Sequence, residues 1–234
     1  MRGAADNIPK ALDVLLRLPY LVRAEGAPED EKEFRWWAFN AYLNAGHTAW
    51  TVFDLCFAGL YYESSLLLRN LLEVMVQLRY FESRKANVRD MLDPETERNV
   101  SLTRMFRTVA PGLEDRGWGL LSNAAHGRLA ASVFRINWEQ THAAVGAGYD
   151  ERLSTFVLNQ FDPLMYGFLS LFPAHFPEYA RLADAQTEML RREAMAWLKL
   201  AADAHVQAHP RAAEWQRMMR TLVAMPPRPE SAST

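Results

Sequence analysis

The sequence of 234 residues predicts an all-α fold: a single helical bundle built around two long antiparallel helices at about 30–57 and 61–84. Three observations predict it. Apolar residues recur at three- and four-residue spacing along most of the chain. Proline, glycine and acidic residues fall between those runs, where helices start and stop. No stretch combines β-branched enrichment, strict alternation and a tight hairpin turn, as strands would.

Composition agrees with a packed globular chain. Half the residues are hydrophobic, 12% are aromatic and 23% are charged, enough for a sizeable core. The formal net charge of −2 gives no basic excess of the kind that wraps nucleic acid by neutralising phosphates, which leaves only a local contact site open. The lone cysteine, Cys56, sits among Phe53, Leu55 and Phe57 and reads as a small buried hydrophobe rather than a nucleophile.

Taken in order, a first helix is expected from Pro9 to Glu25, with Asn7 as cap and Pro19 dividing or kinking it. Gly26 and Pro28 end it. Glu29-Asp30-Glu31 should open the second helix, since acidic residues suit its positive end, and Gly59 should stop it. The third runs from Tyr61 to Arg84. Asp93-Pro94-Glu95 reads as the first turn of a helix reaching Val109, and another is expected from Glu114 towards His126 or Phe134. After a loop at 145–149, helices are expected at 151–172, with a kink at Pro163, and at 178–209, the two separated by Pro173 and Pro177. A final helix spans 212–223. One domain covers residues 1–225, and the Pro- and Ser-rich tail 226–234 is expected to be unpacked.

The second helix is apolar enough to raise the question of a membrane span, since Trp36 to Tyr62 carries one formal charge, Asp54. Asn40, Asn44, His47, Thr48 and Thr51 in the same stretch are costly in lipid. With no apolar signal segment at the N-terminus, a cytoplasmic protein without a membrane contact is expected. On a helical wheel Glu33, Asn40, Asn44, His47, Thr51 and Asp54 fall within about 80°. This seam either faces water or lines an internal pocket, where each polar group would need a partner.

The third helix sets Ser65, Arg69, Glu73 and Gln77 at four-residue spacing. They form a solvated face with an ion pair worth about 0.2–0.5 kcal/mol, or a covered pair that holds a ligand. Further on, Ser122 and His126 share a helical face, an arrangement suited to proton transfer near neutral pH but equally common by chance. Two patterns admit a metal. His205 and His209 have the spacing of paired ligands that His47 would complete, and Glu139-Gln140-Thr141-His142 has the Glu-x-x-His form of helical di-iron bundles. The histidines also suit a helix C-terminus without metal, and the Glu-x-x-His occurs once where the bundle needs two. The expectation is no metal and no cofactor.

The run Ala58-Gly59-Leu60-Tyr61-Tyr62-Glu63-Ser64-Ser65-Leu66-Leu67-Leu68-Arg69-Asn70-Leu71-Leu72-Glu73, followed by Ser122 to His126, resembles a bacterial family of helical proteins known as a domain of unknown function. The likeness covers about 34–130. Such proteins are distantly similar to the HEPN superfamily, which implies a helical, dimeric domain and, in many members, a metal-independent ribonuclease of toxin and antiviral systems. The HEPN motif places an arginine shortly before its histidine. Leu121 and Ser122 stand there instead, so Arg69 would have to supply that charge.

Two functions are therefore expected. One is a helical module, a homodimer by resemblance, whose polar inter-helix pocket of Asn44, His47, Arg69, Glu73, Ser122 and His126 binds a partner or small ligand. The other is a HEPN-like ribonuclease with His126 as acid/base, Arg69 on the phosphorane charge, and Glu73 and Ser122 positioning them; RNA is a partner only in that case. A helical metalloprotein built on His47, His205 and His209 is a more distant option.

Overall fold

A computed structural model of the chain describes residues 7–22, 27–82, 88–96, 99–111, 136–137, 142–143, 150–208 and 212–224. Among the described residues the regular structure is helical apart from one two-residue ladder. The helices are α1 Ile8–Leu21, α2 Lys32–Phe57, α3 Tyr61–Glu82, α4 Val88–Leu92 and α5 Leu102–Val109. After β1 Ile136–Asn137 and β2 His142–Ala143 come α6 Glu151–His175, α7 Tyr179–Leu182, α8 Ala185–Ala208 and α9 Ala212–Ala224. The strands pair antiparallel, Ile136 opposite Ala143. No helix among the described residues is long and apolar enough to cross a membrane.

The expected pair of long helices packs together, and the turn between them is built by Gly59. Its φ of 78° is left-handed backbone that favours glycine. That geometry lets Leu60 N–H reach Leu55 O at 2.8 Å and Gly59 N–H reach Cys56 O at 3.2 Å, closing the last turn of α2. The acidic residues 29–31 form a turn ahead of α2 rather than its first helical turn. Towards its neighbours α2 presents small residues: Ala38, Ala41, Ala45, Gly46 and Ala49 are all buried. A Cβ on Gly46 would stand 2.7 Å from Leu16 Cδ2 and 3.4 Å from Leu16 Cα, so α1 lies almost against the α2 backbone.

The hub is α6. It packs against α1, α2, α3, α8 and α9, and Val157, Phe161, Leu164, Met165, Phe168 and Phe172 are buried along it. A helix apolar all round belongs in the middle of a bundle. Its two prolines do not divide it, and at Pro173 the bundle supplies what the ring removes. A proline inside a helix leaves the carbonyl four residues earlier without its donor. For Pro173 that carbonyl is Leu169 O, and Arg191 Nη1 of α8 donates to it at 2.9 Å. The helix therefore ends after His175, not at Pro173 as its sequence suggests.

A second departure lies at Asp93-Pro94-Glu95, where no helix begins. Asp93 Oδ1 accepts from Glu95 N at 2.9 Å, a local turn that competes with helix formation. Helix α5 instead starts eight residues later, with Ser101 Oγ accepting from Arg104 N at 3.3 Å. Asn7 makes no side-chain cap on α1. The expected helix at 114–134, the loop at 145–149 and the tail at 226–234 lie outside the described residues.

Buried polar ties fasten the bundle across its layers. Tyr42 of α2 hydrogen-bonds His175 Nδ1 at the end of α6, 2.9 Å away. The other ring nitrogen of His175 lies 3.9 Å from Glu82, which pairs with Arg79 of α3. Arg79 Nε donates to Leu222 O of α9 at 2.9 Å. Burial, reinforced by the Glu82 charge and opposed by Arg79, pushes the Tyr42 hydroxyl pKa well above its usual value, so it stays a neutral hydrogen-bonding group. A separate buried ion pair joins Arg35 of α2 to Glu178.

The Arg191 arrangement yields a double-mutant test. Arg191→Leu strands the Leu169 carbonyl and removes a partner of Glu188, and should cost about 2–3 kcal/mol of stability in urea unfolding. Adding Pro173→Ala restores the helical donor and should recover at least about 1 kcal/mol of that loss. Additive effects of the two changes would show that the guanidinium does not substitute for the missing helix bond.

Candidate functional site

The residues expected to line a pocket fall in different places. Glu33, Asn40, Asn44, His47, Thr51 and Asp54 are all exposed. The reason lies in α2 itself: its small residues face inward, which turns the polar seam outward. Asn40 donates to its own helix at Trp36 O, and Thr51 likewise at His47 O. Arg69 and Glu73 form the predicted pair on α3, Nε to Oε1 2.8 Å, with side chains 22% and 23% exposed. Among the described residues no hydrogen bond or ion pair joins Asn44 or His47 to that pair. Ser122 and His126 lie outside the described residues.

The metal patterns are not brought together either. His47 is exposed on α2, His205 turns inward on α8, and His209 lies outside the described residues. His142 stands in β2, so Glu139-x-x-His142 is not a helical ligand pair. Among the described residues there is no group of three or more side chains fit to hold a metal ion.

What the structure does bring together is a cleft between α6, α8 and α9, with a volume of about 550 Å³. Its floor is apolar: Pro163 and Tyr166 of α6, Leu198 of α8, and Met219 and Val223 of α9. Lys199, Asp203, Gln216 and Arg220 add a polar rim. Lys199 Nζ lies 2.9 Å from Asp203 Oδ2, and Arg220 Nη2 lies 3.4 Å from Asp203 Oδ1. Arg220 also donates to Gln216 Oε1 at 3.2 Å. Two cations share one carboxylate, so the rim carries one net positive charge.

Three ties hold α8 and α9 around this cleft. Trp215 Nε1 donates to Gln160 O at 3.3 Å, and Gln216 Nε2 donates to Ala202 O. The third is the contact of Asp162 with His205, with Nε2 3.2 Å from Oδ2. Asp162 is fully buried and directly precedes Pro163 in the cleft floor. Among the described residues Asp162 Oδ1 has no hydrogen-bond partner. Burial therefore raises the Asp162 pKa above the ordinary carboxylate value, with His205 pulling the other way.

Cys56 packs from α2 against the first turn of α6, its Sγ 3.6 Å from Ser154 Oγ. Burial is the main cause pushing its thiol up to about 11, opposed by the Ser154 hydroxyl and reinforced by the Asp162 charge. The residue is buried and protonated, as a small hydrophobe would be. A signal for Asp162 was present in the sequence. From Leu153 to Ala174 it is the one Asp, Glu, Lys or Arg, and an isolated charge in an apolar helix requires a partner.

No family model, curated protein or solved structure matches the chain.

The buried pair makes an asymmetric prediction. His205→Ala leaves an uncompensated buried carboxylate and should cost about 3 kcal/mol at pH 7, whereas Asp162→Asn should cost about 1 kcal/mol or less. Because the folded-state pKa of Asp162 is raised, the folded protein binds that proton more tightly than the unfolded chain. Stability from this group thus increases as pH falls from its folded pKa towards the unfolded value near 3.8. The His205→Ala deficit should shrink on acidification, and Asp162→Asn in that background should abolish the trend. A deficit that grows as pH falls would contradict the assignment.

Proposed function

We propose that this chain is a ligand-binding helical module whose site is the cleft between α6, α8 and α9, and that its ligand is a small amphipathic anion. The observation that carries the reading is the pairing of an apolar floor with a rim of net positive charge. A volume of about 550 Å³ lies within the range of small-molecule sites, which are apolar with a few placed polar groups. A hydrocarbon body would cover Leu198, Met219 and Val223. Its carboxylate or other anionic head would take up the charge that Asp203 leaves unbalanced on Lys199 and Arg220.

Support for a binding site here also comes from the walls. Buried ties between helices fix the positions of α8 and α9 before a ligand arrives, and preorganisation lowers the cost of binding. The pocket expected from Asn44, His47, Arg69 and Glu73 lacks that support, since half of those residues are exposed. A HEPN-like ribonuclease would call on Arg69, whose Nε is already taken up by Glu73, and the ligand-binding reading asks nothing of that pair.

Titration with straight-chain carboxylates tests the proposal. Affinity measured calorimetrically should rise roughly fourfold per added methylene, at about 0.8 kcal/mol each, until the cleft is full. Arg220→Gln should weaken decanoate binding about tenfold, and decanol should bind more weakly than decanoate. Absence of binding at millimolar decanoate, or binding indifferent to Arg220→Gln, would overturn the proposal.

A further inference from the structure

The floor and one wall of the cleft meet at a buried contact between an acid and an imidazole. Asp162 directly precedes Pro163 of the floor, and His205 follows Ala202 of the wall by about one helical turn. His205 Nε2 lies 3.2 Å from Asp162 Oδ2, and the imidazole side chain is 12% exposed. Asp162 is 0% exposed. Among the described residues Asp162 Oδ1 and His205 Nδ1 are buried without a hydrogen-bond partner. A carboxylate in a dry helix interface ordinarily collects donors that offset its charge. Here a single proton, shared by one acid and one imidazole, does so.

We propose that anion binding in the cleft is linked to the proton held between Asp162 and His205, so that acidification favours uptake of the ligand and rising pH favours its release. This rests on the cleft being an anion site and adds a regulator to it. Charge counting gives the sign. With its proton the contact is neutral overall, whichever of the two groups carries it. Without the proton it carries one negative charge. An anion held by Lys199 and Arg220 disfavours the second state. Linkage is reciprocal: a ligand that favours the protonated state binds more tightly when that state is populated. Burial raises the proton affinity of Asp162, which helps to keep the proton on the contact.

The surroundings of Asp162 isolate the effect. Of the helices packed around α6, α8 brings His205, which bears directly on its carboxylate. Helix α2 brings Cys56, which senses the Asp162 charge from farther off. The charges on the other neighbours are paired elsewhere: Arg17 with Asp13 on α1, Arg69 with Glu73 and Arg79 with Glu82 on α3, and Arg220 of α9 with Asp203. His175, at the far end of α6, bonds to Tyr42. Lys199 and His205 are six residues apart on α8, about 9 Å along the helix axis. At that range one unit charge changes the affinity of an anion about three- to tenfold.

Calorimetry of the full chain with decanoate is run between about pH 6 and pH 9, above the titration of a carboxylic acid and below that of lysine. Kd should weaken about three- to tenfold across that range. Repeating the titration in buffers of different ionisation heat should show that binding takes up a fraction of one proton. Asp162→Asn should abolish the uptake and flatten the profile. A second readout uses the unaltered chain: the Asp162 carboxyl and His205 imidazole resonances should titrate at higher pH when decanoate saturates the cleft. Decanoate bound equally well across the range, titration midpoints unmoved by it, or proton uptake that survives Asp162→Asn would overturn the linkage and leave the cleft as a binding site. No binding at millimolar decanoate would remove both.

Discussion

A carboxylate without access to water sits at the midpoint of the helix that every other long helix touches. Asp162 cannot be placed there without a partner, because an isolated buried charge costs several kcal/mol even after relaxation. His205 is that partner, 3.2 Å away on α8. The requirement fixes more than one distance. It sets the register of α8 on α6, and the carbonyl of Ala202, one turn before His205, then offers itself to Gln216 of α9. The cleft is the space these three helices leave once Asp162 has been satisfied.

The same logic recurs at the other end of α6. Pro173 deprives Leu169 of its helical donor, and Arg191 supplies one from α8. Arg191 is itself held by Glu188, which two arginines and the Tyr179 hydroxyl keep at a pKa of about 2. At the α2 contact, His175 joins Tyr42 to the Glu82–Arg79 pair. Polar groups thus specify which face of α6 meets which neighbour, while burial of Phe161, Phe168 and Phe172 supplies the bulk of the association without direction. A helix apolar all round needs such markers, since its hydrophobic surface alone would accept several rotations.

The sequence carried the fold at the level of element type because helix periodicity is local and Gly59 sits where only a turn suits it. It was less informative where the third dimension decides. Pro173 looks like a terminator until Arg191 is seen to replace the lost donor, and those residues are 18 positions apart in the sequence. Asp93-Pro94 has the letters of a helix start, yet a side-chain turn uses them first. The candidate site was harder still. The polar seam of α2 was visible as a seam, but whether it faced inward depended on Ala38, Ala45 and Gly46 claiming the inner side. Asp162 was legible as an isolated charge, whereas its pairing with His205 depends on helix packing that no spacing rule encodes.

The cleft rests on the polar contacts that α8 and α9 make with α6. The assignment of Asp162 to a dry position beside His205 underlies that cleft and is open to direct observation. A carboxyl-carbon NMR titration, with the resonance assigned by its loss in Asp162→Asn, would show it. A midpoint above the ordinary aspartate range is the predicted result. A midpoint at the ordinary value near 3.8, with the resonance following bulk pH like a surface aspartate, would place that side chain in water and contradict the packing of α6, α8 and α9 described above.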